Sequence, residues 1–222
     1  MNEVVAGSGG IGVLDLQGGV QEHLDHLRRL GVAARPVKRA RELAELAGLI
    51  IPGGESTCLS RLLAIFGLDQ AIWQAYRDGL KLWGTCAGAI LLARENVGEV
   101  PCLGLIDITV NRNAFGSQLD SFQCEALAPA VAREPIPLTF IRAPKIVRVG
   151  EGVRVVLSMG DYIAAAEDDR ILVTVFHPEL TPSLAFHRYF ARKCGVNVAC
   201  GDDAGVDPHW TPQSWMDFSY HV

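Results

Sequence analysis

The 222-residue chain has no surplus of basic residues: 20 Lys and Arg face 25 Asp and Glu, a net charge of -5. That balance argues against a nucleic-acid binder, which would present a basic face. No apolar run reaches the roughly 18–20 residues a membrane-spanning helix needs. The first Lys or Arg is Arg28, so the start offers no basic n-region and predicts no secretory signal. The six cysteines, at 58, 86, 102, 124, 194 and 200, include no C-x-x-C pair. A chain this long has core enough to need no staples, and reduced thiols in a cytoplasmic protein are the expectation. His187, His209, Cys194 and Cys200 fit no zinc spacing, and no metal is expected. There is no internal repeat, no low-complexity segment, and neither the Lys of a P-loop nor the spacing of a dinucleotide fingerprint, so no cofactor is expected.

What is present is a strongly patterned α/β chain. Strands are predicted at 11–16, 32–37 and 48–51, separated by a helix in which Val20, Leu24, Leu27 and Leu30 recur at helical spacing and by a short helix over 39–47. Helical patterns follow at 59–66 and 69–78. This β-α-β-α-β order predicts a doubly wound parallel sheet, with ligands at the carboxyl ends of its strands. After Ala93 the segments shorten (103–110, 122–127, 138–141, 153–157, 163–166), which predicts antiparallel additions. A last strand over 171–176 and a helix over 182–193 close a domain of residues 1–196. The stretch 197–222, which holds Trp210 and Trp215, reads as a C-terminal extension without an assigned role.

The centre of the pattern is Leu80–Ala93, an apolar strand, a turn of small residues and an apolar helix, with Cys86 at the apex between Gly84 and Gly88. This is the layout of a nucleophile elbow, with Cys in place of Ser. The glycines permit a strained turn and close strand–helix approach. The helix start sets free N–H groups and a partial positive charge beside the sulfur, as around a reactive cysteine. On its own the turn fits a buried structural cysteine equally well.

The strand at 171–176 supplies the deciding residues, because it runs directly into His177-Pro178-Glu179. In extended backbone, residues two apart share a face, and Pro178 disfavours helical geometry at His177. Cys86 as nucleophile, His177 as base and acid, and Glu179 as orienter make an acyl-transfer set. The Ala87 N–H and the Gly53-Gly54 turn offer donors for an oxyanion. That turn belongs to Pro52-Gly53-Gly54-Glu55-Ser56-Thr57, whose plainest reading is a strand-to-helix turn with Ser56 or Thr57 as N-cap. Arg112 and Arg142 supply two cations that a substrate carboxylate would pair with.

Beyond these residues, the chain resembles a known family. Gly84-Thr85-Cys86-Ala87-Gly88 and His177-Pro178-Glu179 are similar to the class I, triad-bearing glutamine amidotransferases. Leu16-Gln17-Gly18, Pro52–Thr57, Asn111-Arg112-Asn113 with Phe115–Gln118, Phe140–Pro144 and Phe176–Thr181 resemble, in order, the glutaminase subunits of pyridoxal 5′-phosphate synthase. The resemblance covers about residues 12–192. It implies a flavodoxin-like three-layer sandwich that hydrolyses L-glutamine to glutamate and ammonia. Ammonia would pass to a separate (β/α)8-barrel synthase subunit, whose docking completes the oxyanion hole. It assigns Cys86, His177 and Glu179 to the triad, Gly54 and Ala87 to the oxyanion hole, and Gly54, Glu55, Ser56, Arg112, Ile141 and Arg142 to glutamine. Two positions depart from the family: Asp15 stands in the first strand where a small apolar residue is usual, and Cys58 replaces a Thr. Two other readings remain: a glutaminase subunit for another acceptor, such as that of imidazole glycerol phosphate synthase, and a non-catalytic flavodoxin-like module with Cys86 as redox sensor.

Overall fold

The computed structural model describes residues 9–112 and 121–198. Its sheet begins with β1 (Ile11–Leu14), β2 (Ala34–Val37), β3 (Gly48–Ile51), β4 (Lys81–Thr85) and, late in the chain, β12 (Ile171–Thr174). These five lie side by side in the order β2-β1-β3-β4-β12, every pairing parallel. That is the doubly wound order of flavodoxin-like sheets. β1, β3 and β12 are buried at every residue, as parallel strands covered on both faces must be.

The second half curls away from β12 through antiparallel pairings. β11 (Tyr162–Glu167) joins β12, β10 (Arg154–Met159) joins β11, and β9 (Lys145–Val149) bridges β11 to β6 (Ile106–Asn111). β5 (Ala93–Asn96) closes the far edge parallel to β6, and β7 (Phe122–Ala126) with β8 (Ile136–Phe140) forms a separate hairpin. β5 and β9 were not predicted: both are short, and only one residue of each is buried, so neither carries a buried apolar run.

The helices are α1 (Val20–Arg29), α2 (Ser56–Ile65), α3 (Leu68–Arg77), α4 (Ala87–Leu92) and α5 (Ala185–Lys193), and the predicted helix over 39–47 is a 3-10 turn at Ala40–Leu43. α4 is buried along its whole length against β4. No helix among the described residues is long and apolar enough to cross a membrane. β1 stops at Leu14, so Asp15 lies beyond the strand, where its carboxylate meets Lys38 Nζ at 3.2 Å. The extension called at 197–222 lies outside the described residues from 199 onward, as do Asn113 and Phe115–Gln118.

Candidate active site

The elbow is where the backbone leaves its ordinary range. Cys86 sits between β4 and α4 at φ +48° and ψ -105°, a conformation that costs a non-glycine residue energy and persists only where the surroundings enforce it. They do so by close packing. A Cβ on Gly88 would lie 2.0 Å from the Ile51 carbonyl oxygen, and one on Gly84 2.4 Å from the Gly88 carbonyl carbon. The Cys86 N–H is tied to the Thr174 carbonyl at 2.8 Å, so β12 holds the turn in place. Sγ lies 3.9 Å from the Ile141 carbonyl oxygen, which brings the predicted 140–144 segment to the Cys86 sulfur.

β12 delivers the second component. His177 donates its N–H to the Thr139 carbonyl at 2.8 Å, and its ring Nδ1 lies 2.8 Å from Glu179 Oε1. The two side chains meet, although not along an extended strand as predicted. Residues Pro178–Leu180 form a 3-10 turn with Pro178 in its first position, and that turn folds the carboxylate back onto the imidazole.

Burial alone would lower the His177 pKa, but the charges of Cys86 and Glu179 and the hydrogen bonds to both outweigh it and hold it well above the ordinary histidine value. Burial would likewise raise Glu179. His23 and His177 reverse this and bring its pKa down to about 2. A base that favours its protonated form beside a sulfur suits a thiolate–imidazolium pair.

The Gly53-Gly54 loop closes over this pair. A Cβ on Gly53 would stand 2.4 Å from His177 Cε1 and 3.3 Å from Cys86 Cβ, so only glycine fits. Gly53 N–H donates to Thr85 Oγ1 and Glu55 N–H to Gln17 Oε1, each at 3.0 Å. Between these two committed donors, Gly54 N–H has no partner among the described residues. Ala87, first residue of α4, has no intrahelical acceptor for its own N–H. Gln17 and Thr85, which aim the loop, were not singled out as site residues from the sequence; a Gln at the strand end and a Thr before Cys86 were the available signals.

The predicted substrate-binding residues divide. The N-cap of α2 is Glu55, not Ser56 or Thr57: its carboxylate accepts from Thr57 N–H at 3.1 Å and Cys58 N–H at 2.7 Å. Arg112 pairs with Glu55 at 2.5 Å, Thr57 Oγ1 at 2.9 Å and Glu99 at 3.4 Å, so its guanidinium already holds carboxylates of this chain. Ser56 is buried, and its hydroxyl has no partner among the described residues. Arg142 is exposed, at φ +44° in the loop after β8. The structure therefore gathers Cys86, His177, Glu179, Gly54, Ala87 and Ile141 at one point, with Glu55 and Arg112 joined at the α2 start.

A cysteine elbow on a parallel α/β sheet, faced by a His–Glu pair from the end of β12, defines a glutamine-amidotransferase type of enzyme. The SNO glutamine amidotransferase family matches residues 13–196, and the chain belongs to that family; it is a glutaminase. It is 60% identical over 213 residues to the pyridoxal 5′-phosphate synthase subunit PdxT of Syntrophus aciditrophicus, covering 96% of this chain and 95% of that one. To PdxT of Dehalococcoides mccartyi it is 48% identical over 186 residues, covering 82% and 95%. A solved glutamine amidotransferase superposes with a TM-score of 0.80 at 42% identity, covering 85% of this chain and all of the other.

Proposed function

We propose that this chain is the glutaminase subunit of a pyridoxal 5′-phosphate synthase, and that it works through a Cys86–His177–Glu179 triad. The observation that carries the reading is the strained Cys86 turn facing a His177–Glu179 pair held at 2.8 Å. Similarity to PdxT subunits over nearly the whole chain supports this synthase over an imidazole glycerol phosphate synthase partner. A redox sensor would need the cysteine but not the oriented imidazole.

The Cys86 thiolate attacks the side-chain amide carbon of glutamine. Gly54 and Ala87 N–H groups receive the oxyanion; each such donor is worth about 10²–10³ in rate. His177 gives its Nε2 proton to the leaving nitrogen, and ammonia departs. A thioester between Cys86 and the glutamyl group remains. His177 then takes a proton from water, whose oxygen displaces the sulfur and releases glutamate. Glu179 keeps its Oε1 on His177 Nδ1 throughout and stabilises the imidazolium. Ammonia passes to the synthase subunit, whose docking on this face completes the site.

The test is ammonia release from glutamine by the full chain with and without that subunit. Release rises on adding the subunit and is lost in Cys86→Ala; activity surviving in Cys86→Ala overturns the mechanism.

A further inference from the structure

Behind Glu179 lies a layer of histidines that the triad does not use. His23 of α1 and His187 of α5 are fully buried, and His26, one turn along α1, is nearly so. His23 Nε2 lies 3.4 Å from Glu179 Oε2, the oxygen that His177 does not take and that has no hydrogen-bond partner among the described residues, so the contact between them is electrostatic. Its other nitrogen, Nδ1, lies 2.8 Å from His187 Nε2. The two rings thus spend nitrogens on each other, which is not how histidines converge on a metal.

Electrostatics at Glu179 favours one set of protons. An ionised Glu179 presents only lone pairs, so a hydrogen on His23 Nε2 facing Oε2 across 3.4 Å attracts it, where a bare nitrogen would repel it. Burial drives the His23 pKa down to about 4, so the ring is neutral near pH 7 and its Nδ1 is a lone pair. His187 Nε2 must then donate to it, leaving His187 Nδ1 as the bare nitrogen. His187 Nδ1 is indeed the ring atom without a partner among the described residues. The opposite tautomers would set a lone pair of His23 against the carboxylate and bury an unpaired N–H on His187.

The layer is braced on every side. Trp83 of β4 meets His23 and His187 edge to face, at ring-centre distances of 5.6 and 4.9 Å. Thr85 Oγ1 stands 3.5 Å from His23 Nε2. His26 places its two ring nitrogens 2.9 Å from the carbonyls of Glu22 and Thr181, which ties α1 to the turn that carries Glu179. The remaining charged or titratable groups around the trio are His177 and Glu179 on that turn and Glu22 and Arg29 on α1.

We infer that His23 is a positioning residue for the triad: its Nε2–H faces the second oxygen of Glu179 across 3.4 Å and attracts it, in a tautomer favoured by His187, so that the first oxygen stays on His177. The inference rests on the proposed triad. At neutral pH His23 gives Glu179 a dipole and not a charge, so it orients the carboxylate without competing with the imidazolium for its charge. Without it, the carboxylate can turn off His177, the imidazolium loses stabilisation, and the proton needed by the leaving ammonia is lost at lower pH.

The experiment uses the full chain with the synthase subunit and compares His23→Leu, His23→Gln and Cys86→Ala. His23→Leu is expected to lower kcat about 10- to 100-fold, the usual scale for removing a group that orients an active-site ligand. KM for glutamine should stay within about twofold, because the substrate is not touched. The alkaline limb of the pH–rate profile should move to lower pH. His23→Gln, whose amide nitrogen reaches the place of Nε2, should restore most of kcat and the position of that limb. If His23→Leu does not fold, His23→Asn, whose shorter amide stops short of Glu179, replaces it. Equal losses in the Leu (or Asn) and Gln variants with an unmoved limb, or no loss in either, overturn the inference. Activity retained in Cys86→Ala overturns the triad itself, whereas its abolition there together with unaffected His23 variants removes only the role of His23.

Discussion

Two glutamates are buried at opposite ends of the same pair of strands, and they are neutralised in different ways. Glu167, at the end of β11, is reached by Arg154, by Lys193 Nζ at 3.0 Å and by Tyr189 Oη at 2.5 Å. Glu179, past the end of β12, is met by His177 and His23 alone among the described residues. Burial would raise both pKa values, and the partners depress both, Glu179 to about 2. The partners of Glu167 are permanent cations and a tyrosine pushed up to about 12, so nothing there titrates in the physiological range. Every partner of Glu179 is an imidazole. Glu167 is paired with fixed charge, whereas the carboxylate of the proposed triad is paired with groups that titrate.

Isosteric removal of each charge separates these roles and gives the largest expected effect. Glu179→Gln should cut glutamine hydrolysis by about 10⁴, the scale on which an orienting carboxylate acts in a triad. Glu167→Gln should leave kcat unchanged but lower the free energy of unfolding by about 3 kcal/mol, because it removes the carboxylate partner of the half-buried Lys193 and of Arg154. That figure is at the lower end for a buried pair, since Arg154 is 63% exposed and rehydrates readily. Rates and denaturant melts of the two variants check this. Matching losses of activity would erase the distinction.

The pH dependence of stability sharpens it next. His23, His26 and His187 all have folded pKa values below 6.5, chiefly through burial, so the unfolded chain binds their protons first. Their contribution is therefore present above pH 6.5 and is lost as pH falls through their folded values, about 4 for His23, by up to about 1.4 kcal/mol per pH unit for each proton. Glu179 adds a loss between 4.5 and about 2. His177, raised in the fold, has the opposite sign: its contribution is full below 6.5 and disappears as pH rises through its folded value. Urea midpoints between pH 7.5 and 5 should fall, and His187→Phe should flatten that fall by one proton. Glu167→Gln should lower the whole curve without changing its slope above pH 4.5, since its end of the sheet contributes no histidine.

The sequence announced one of these two carboxylates and not its surroundings. Cys86 between Gly84 and Gly88 was legible because an elbow demands small residues at fixed spacing, and His177 because a strand ended on it. Glu179 was linked to His177 for a mistaken reason: the pairing comes from a 3-10 turn begun by Pro178, not from extended backbone. The histidine layer was invisible. His23 and His26 stand beside the apolar stripe of α1, and a buried histidine in one helix says nothing of its partner. His23 meets His187 across 164 residues, a contact that only the packing of α1 against α5 creates. The N-cap of α2 was read as Ser56 or Thr57, whereas Glu55 caps the helix and holds Arg112, because cap choice depends on which residue keeps extended backbone.

The smallest effect belongs to a third carboxylate, Asp15, which isolates burial from pairing. It lies at the carboxyl end of β1 and carries an ion pair with Lys38 at 3.2 Å, a distance comparable to those around Glu167. Its side chain is 30% exposed and that of Lys38 63%, so water screens the attraction and already solvates both groups in the fold. Asp15→Asn should therefore change stability by less than about 1 kcal/mol and leave glutamine hydrolysis unaltered. The small difference should shrink further in molar salt, where the screening length falls to about 3 Å. Denaturant melts of the parent and variant in low and high salt measure it. A loss near that of Glu167→Gln would mean that pairing, irrespective of burial, governs these carboxylates, and the contrast between the two buried glutamates would lose its physical basis.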